Sequence, residues 1–173
     1  MSSVETSRLL LRQFRLDDLD NLATLLGNED VMRYVGDGKP VTREGSDKAL
    51  RSIIRHWEEH EFGRWAVIDK ETNAFAGFGG LRSLIDTPEV VYHFAKEYWG
   101  RGLATELAKA SLKYGFEKHQ FDRIVAVAKP ENLASIRVME KAGMDYDMRT
   151  KYYDIEVIQY HLLRSAYRPD EFR

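Results

Sequence analysis

The sequence of 173 residues contains no cysteine. This excludes disulfide bonds, thiolate metal sites and a cysteine nucleophile, and it fits a reducing compartment. No segment approaches the 18 apolar residues of a transmembrane helix, and the first residues lack the basic and apolar regions of a secretion signal. We therefore expect a soluble, cytoplasmic protein.

Neither sign of charge dominates, because 26 lysines and arginines stand against 28 aspartates and glutamates and leave a net charge of −2. This balance gives no support for nucleic acid or a membrane as the main partner. The hydrophobic content of 43% and the charged content of 31% are typical of a folded globular protein. We expect a single domain over residues 1–173, with a core over about residues 8–165 and a C-terminal tail.

Residues 92–105 combine an apolar strand, a turn with two glycines and the start of a helix. The first amides of a helix have no partner inside it, and the helix dipole places partial positive charge there. Gly100 and Gly102 carry no side chain that would keep a bulky anion from this backbone. The stretch predicts a phosphate cradle, although glycine turns also precede helices for geometric reasons alone.

Two familiar phosphate-binding motifs do not fit this stretch. A P-loop has Lys and then Ser or Thr directly after its last glycine, whereas Leu103 and Ala104 follow here. A Rossmann fingerprint has an acidic residue at the end of the next strand, whereas Asp122 precedes that strand. A nucleotide-dependent dehydrogenase, which would bind NAD, is therefore disfavoured.

The stretch resembles the acyl-CoA signature of the GCN5-related N-acetyltransferase (GNAT) superfamily, Gln/Arg-x-x-Gly-x-Gly/Ala, with Trp99, Gly102 and Ala104 in the defining places. Trp99 departs from the usual Gln or Arg. The run Tyr-Trp-Gly-Arg-Gly followed by Ala-Thr-Glu is similar to the ribosomal-protein N-acetyltransferase (RimJ/RimL-like) branch. Residues 132–143 resemble the other acyl-CoA-facing helix of the superfamily, and residues 8–12 resemble its opening Arg-Leu-x-Leu-Arg.

This resemblance implies an α/β GNAT fold, with a central, mixed, mostly antiparallel sheet of about seven strands and about four flanking helices. One parallel strand pair in that sheet is splayed. The residue pattern independently predicts a hairpin over residues 64–81, and parallel strands before and after the helix that follows the glycines. Gly77, Gly79 and Gly80 weaken the second strand of the hairpin and indicate a bulge or a close approach by another group.

The resemblance also implies acetyl-CoA as co-substrate and no metal. The pantetheine arm would lie in the splayed gap, and backbone amides after the strand would hold the diphosphate. Lysines and arginines make this neighbourhood locally basic. The residues that the resemblance places against the cofactor are Phe94, Ala95, Trp99, Gly100, Arg101, Gly102, Leu103, Ala104, Thr105, Asn132, Ser135, Arg137 and Lys141.

The implied reaction is direct attack of a neutral amine on the thioester through a tetrahedral oxyanion. Strand alternation places Glu89 and His93 on one face, so either could be the general base. A backbone N–H near Ala95 could stabilise the oxyanion. Many members have a tyrosine as acid where this chain has Met139, which leaves Ser135 as candidate acid or as a group that only binds the thiol.

The acceptor wall of the family comes from early helical segments, which makes Tyr34, Trp57 and His56 candidate substrate contacts. On the alternative interpretation, the histidines and acidic residues of the predicted helix after Thr42 form a solvent-exposed face and not a metal site. We expect an amine-bearing small molecule or a protein N-terminus as partner, and either a monomer or a homodimer. A non-catalytic acyl-CoA-binding sensor is the alternative.

Overall fold

The computed structural model describes residues 3–172. The remaining positions of the predicted domain, residues 1, 2 and 173, lie outside the described residues.

Short 3-10 helices occur at Leu16–Asp18, Lys96–Tyr98, Arg164–Ala166 and Pro169–Phe172. The strands are β1 (Val4–Glu5), β2 (Leu9–Arg12), β3 (Arg64–Asp69), β4 (Phe75–Leu84), β5 (Thr87–Phe94), β6 (Arg123–Ala128), β7 (Asp145–Tyr152) and β8 (Ile155–Leu163). The α-helices are α1 (Leu19–Leu26), α2 (Glu29–Met32), α3 (Arg43–His60), α4 (Leu103–Lys118) and α5 (Leu133–Lys141).

The strands form an eight-stranded sheet in the order β1-β2-β3-β4-β5-β6-β8-β7. The sheet is mostly antiparallel, with a parallel pair between β5 and β6. This confirms the mixed α/β fold expected from the sequence. The two-residue strand β1 is not predicted from the sequence and accounts for a strand beyond the expected seven or so.

Residue contacts divide the chain into two compact units. The first contains the chain up to Gly80 together with Tyr92–Leu103. Leu9 and Leu11 of β2 are both fully buried, as the alternation of a strand with one core-facing side requires. Helix α3 begins after Thr42, whose hydroxyl accepts a hydrogen bond from the Gly45 amide. The expectation of a single domain over residues 1–173 stays a prediction.

A close backbone contact inside this first unit explains the glycine at position 77. A Cβ atom added to Gly77 would lie 2.1 Å from the His93 carbonyl oxygen and 2.8 Å from Phe94 Cα. The register between β3 and β4 also shifts beside it, between Val67 and Ile68. Both the bulge and the close approach that the sequence predicts are present, and the end of β5 can lie against β4 only because residue 77 has no side chain.

The second unit contains Leu81–Val91 and the chain from Ala104 onward. Strand β6 pairs antiparallel with β8 along its whole length, from Arg123 to Ala128. Strands β5 and β6 run parallel, with Glu89 paired to Val125. The splay expected for this strand pair stays a prediction.

The C-terminal segment is not the tail that the sequence predicts. Residues 164–166 and 169–172 form 3-10 helices, and both Tyr167 and Phe172 are buried. Their ring centroids lie 4.9 Å apart, and Phe116 of α4 lies 5.0 Å from Tyr167. Aromatic side chains near the end of the chain therefore anchor it to α4.

We expect Gly77→Ala to lower the free energy of unfolding by about 3 kcal/mol, because the added methyl group meets backbone that cannot move aside. Urea denaturation measures the loss. Ser83→Ala, at an exposed position of the same strand, is the control and should stay within about 0.5 kcal/mol of the wild type. Equal stability of both variants would contradict the close approach.

Candidate active site

The chain leaves β5 through a segment that is braced by its own backbone. The Tyr98 amide donates to the Ala95 carbonyl at 2.9 Å, and the Trp99 amide donates to the Lys96 carbonyl at 3.1 Å. The Trp99 indole N–H donates to the Phe94 carbonyl at 2.8 Å, while 47% of the Trp99 residue surface stays exposed. These bonds fix the entry to the glycine turn, which we define as residues 99–103.

The glycine turn requires backbone that only glycine adopts easily. Gly100 has φ +71° and Gly102 has φ +76°, in the left-handed region. A Cβ atom on Gly100 would meet nothing within 4 Å, so the space beside it is open. Left-handed residues in such turns aim successive amides at a common point, and α4 begins at Leu103 with amides that have no carbonyl partner within the helix. The left-handed glycines and the helix start that the sequence predicts are present. Phosphate binding by this turn stays a prediction.

Arg8 lies at this turn although the sequence gives no sign of it. Its Nη1 atom donates to the Arg101 carbonyl at 2.7 Å, and its Nη2 atom would lie 3.6 Å from a Cβ on Gly102. The two ends of this contact are 93 residues apart in the chain. The sequence shows Arg8 only as the first residue of the opening Arg-Leu-x-Leu-Arg motif, and this motif does not indicate which group the arginine contacts.

The cations around the turn differ in how they are held. The Arg101 guanidinium lies over the Tyr98 ring, 5.4 Å from its centroid, and is exposed. Lys96 donates to Asp30 at 2.7 Å, and this hydrogen bond holds the pKa of Asp30 below its usual value. Because Lys96 already faces a carboxylate, less of its charge is available to a phosphate.

The remaining residues predicted to contact the cofactor lie on α4 and α5. Leu103 is buried and starts the α4 helix, whereas Ala104 and Thr105 are half-buried. At α5, Arg137 and Lys141 are exposed. Helix α5 therefore carries two cations that an anion can reach from solvent.

Asn132 caps helix α5 as the sequence predicts. Its side-chain oxygen accepts a hydrogen bond from the Ser135 amide at 3.2 Å. Among residues 3–172, nothing hydrogen-bonds to the Asn132 Nδ2 group, so this donor remains for a ligand. Ser135 is half-buried on the first turn of the helix, and Met139 is 1% exposed within the core.

The two candidate bases have different surroundings. Glu89 is 2% exposed, and its carboxylate accepts a hydrogen bond from Arg82 Nε at 2.6 Å. His93 is half-buried and stacks on Phe78, with ring centroids 4.6 Å apart and planes 9° from parallel. Glu89 is therefore oriented by an ion pair and His93 by an aromatic face.

The Ala95 amide is not available as an oxyanion donor. It donates to the Ala76 carbonyl at 2.9 Å, which extends the contact between β4 and β5 by one residue. The expectation that a backbone N–H near Ala95 stabilises the oxyanion stays a prediction, and it applies to a neighbouring amide because the amide of Ala95 is bonded to Ala76. A backbone N–H that follows Ala95 in the chain would have to stabilise the oxyanion.

The acceptor candidates are not brought together. Trp57 is 6% exposed and its indole donates to the Arg64 carbonyl at 2.8 Å, yet it lines a cavity of about 150 Å³. Tyr34 is 38% exposed and is not part of that lining, and the His56 ring lies 4.4 Å from that of His60. The cavity is lined by Gln13, Phe14, Ile54, Trp57 and Glu58.

A second cavity, of about 240 Å³, includes the residues that follow β5. Its walls come from α1, α2 and the start of β4, and they are rich in amide and hydroxyl groups. It is lined by Asn21, Thr24, Leu25, Asn28, Val31, Phe75, Ala95, Lys96 and Glu97.

Within residues 3–172, no group of three or more His, Asp or Glu side chains could hold a metal ion. No helix of the described chain has the length and apolarity to cross a membrane.

Comparison with known proteins identifies the family. The family model described as "Acetyltransferase (GNAT) domain" matches residues 8–145. The chain belongs to the GNAT acetyltransferases. It is 36% identical over 171 residues to the "Uncharacterized protein YkkB" of Bacillus subtilis, covering 94% of this chain and 95% of the relative. It is 30% identical to the "Uncharacterized N-acetyltransferase p20" of Bacillus licheniformis, covering 96% and 99% of the two chains.

Solved structures of GNAT proteins share the fold. A GNAT acetyltransferase from Bacillus anthracis has a TM-score of 0.83 at 28% identity, covering 95% of this chain and 99% of that one. The spermidine N-acetyltransferase of Vibrio cholerae, solved with CoA and spermine, has a TM-score of 0.77 at 22% identity, covering 93% and 98%. Family membership and the named relatives identify this GNAT chain as an N-acetyltransferase.

Gly100→Ala and Gly36→Ala form a matched pair for testing the turn. Both glycines have positive φ and nothing within 4 Å of an added Cβ, so each variant should lose about 1 kcal/mol of stability. Only Gly100→Ala should weaken CoA binding, by about tenfold, because its strain displaces the turn amides. Isothermal titration calorimetry with CoA measures both variants. Equal affinities would show that the turn does not bind CoA.

Proposed function

We propose that this GNAT protein transfers the acetyl group of acetyl-CoA to a primary amine, with a protein N-terminal amine as one candidate acceptor. The observation that carries the proposal is the open glycine turn directly before α4. Its left-handed glycines and the start of α4, where the first amides have no partner within the helix, suit a diphosphate. CoA in the Vibrio cholerae relative supports the same ligand class here.

For cofactor binding, the amides of residues 101–105 hold the diphosphate, and the exposed cations Arg101, Arg137 and Lys141 add attraction. The backbone of Phe94 and Ala95 lies beside the pantetheine arm. The free Nδ2 donor of Asn132 reaches one of the arm's amide carbonyls. Each of these groups supplies donors or positive charge, as a ligand with phosphate and carbonyl acceptors requires.

In the proposed reaction, the neutral amine attacks the thioester carbonyl carbon and forms a tetrahedral oxyanion. Collapse of this intermediate breaks the carbon–sulfur bond and releases the CoA thiolate. Glu89 or His93 accepts the proton lost by the nitrogen, directly or through water, and Ser135 donates a proton to the sulfur. Glu89 is the first candidate for the base because it is 2% exposed and Arg82 holds its carboxylate in one orientation.

Several narrower features also belong to this proposal. The Tyr-Trp-Gly-Arg-Gly run supports the RimJ/RimL-like branch, which acts on ribosomal proteins. A cytoplasmic location and a monomeric or homodimeric state remain predictions. Tyr34 and Trp57 remain candidate acceptor contacts, with the cavity beside Trp57 large enough for a small aliphatic group.

The alternative is an acyl-CoA sensor, which the loss of the family tyrosine to the buried Met139 favours. CoA binding alone does not separate it from the enzyme. The deciding experiment supplies acetyl-CoA with a library of amines and with peptides that carry free N-termini, and follows the release of free thiol. Amine-dependent thiol release and an acetylated product in mass spectrometry support the transferase. Tight CoA binding without release supports the sensor.

We expect Ser135→Ala to lower kcat by about 100-fold, because the hydroxyl donates a proton to the leaving thiolate. The Kd for CoA should change less than about twofold, since only the side chain is removed and the Ser135 amide still donates to Asn132. Steady-state kinetics and calorimetry measure the two quantities. Ser165→Ala, at an exposed position, is the control. An unchanged kcat would remove Ser135 from the mechanism.

We expect Glu89→Gln to lower kcat by about 100-fold at neutral pH, because the amide cannot accept the amine proton but keeps the size of the carboxylate. His93→Gln should lower it by less than about tenfold. Both variants are compared by thiol release at saturating acetyl-CoA, with melting temperatures as the check on folding. The reverse ranking would assign the base to His93.

A further inference from the structure

Arg8 makes a contact that reaches the centre of the glycine turn. It directly precedes β2, and its Nη1 atom donates to the Arg101 carbonyl at 2.7 Å. Its Nη2 atom lies on the Gly102 side, 3.6 Å from where a Cβ would stand. Arg8 and the turn belong to the same compact unit, so this contact lies within one body of the structure.

The contact fixes the orientation of one peptide plane. A trans peptide is planar, with its carbonyl and its N–H pointing in opposite directions. When Arg8 holds the Arg101 carbonyl, the Gly102 N–H must point away from Arg8. The neighbouring left-handed glycines would otherwise let this plane rotate, because glycine has few steric barriers. The guanidinium therefore sets which group the turn presents to a ligand.

We propose that Arg8 is a positioning residue for cofactor binding, which locks the Arg101–Gly102 peptide with its N–H toward the CoA diphosphate. This inference rests on the proposed function. Arg8 suits the task because a guanidinium is planar, always charged and offers several donors in a fixed fork. Its positive charge beside the turn also favours an anion there.

Arg8 is not part of the glycine signature, because it lies 93 residues before Arg101 in the chain. The cradle is encoded by residues 99–105, but its conformation is completed by the side chain of Arg8, which directly precedes β2 at the start of the matched family region. A role limited to folding predicts that losing Arg8 affects every thioester substrate equally. A positioning role predicts a loss confined to substrates that carry the diphosphate.

The test compares acetyl-CoA with S-acetylpantetheine, which has the same thioester and arm but no diphosphate. For Arg8→Ala we expect kcat/KM with acetyl-CoA to fall about tenfold, mainly through KM, while kcat/KM with S-acetylpantetheine stays within about twofold. Arg8→Lys, which keeps the charge but not the fork, should recover part of the loss. Arg55→Ala removes an exposed arginine from α3 and is the control.

Equal losses with both thioesters, or no loss with either, would overturn the positioning role. If Arg8→Ala does not fold, Arg8→Gln and Arg8→Lys are measured in the same comparison, since both keep a polar side chain but lack the guanidinium fork that holds the Arg101 carbonyl. With Arg8→Gln the loss should again be confined to acetyl-CoA. A wild-type protein that uses both thioesters equally well would instead contradict the proposed diphosphate site itself.

Discussion

The close packing of β4 against the end of β5 is the constraint on which the candidate site depends. Gly77 has no side chain, so the His93 carbonyl passes at a distance that any Cβ would forbid. The same contact continues to the Ala95 amide, which donates to Ala76. The strand therefore ends at a fixed place, and the glycine turn starts from there. A less restricted strand end would leave the turn amides without a defined direction.

The turn itself was predictable from the sequence because its features are local. Two glycines before an amphipathic helix indicate left-handed backbone and free amides, and both Gly100 and Gly102 have positive φ. The cap by Asn132 is local in the same sense, since the side chain bonds an amide three residues later. The parallel strand pair also followed from strand, helix and strand succeeding one another, whereas the mixed sheet around it was expected from the family resemblance.

The contacts that complete the site join distant parts of the chain, and no periodicity encodes them. Arg8 reaches Arg101 over 93 residues, and Lys96 reaches Asp30 over 66. The sequence also does not show which backbone amides remain available to a ligand. The Ala95 N–H donates to the Ala76 carbonyl of β4, and only folding brings these two residues together.

The exposed indole beside the turn has a spectroscopic consequence. Of the three tryptophans, Trp57 and Trp65 are buried in the core, whereas Trp99 is in contact with solvent. Solvent exposure shifts indole fluorescence to longer wavelength, so the red edge of the emission originates mainly from Trp99. A ligand that covers this ring would shift the spectrum to the blue, and the chain thus carries an intrinsic optical probe beside the glycine turn.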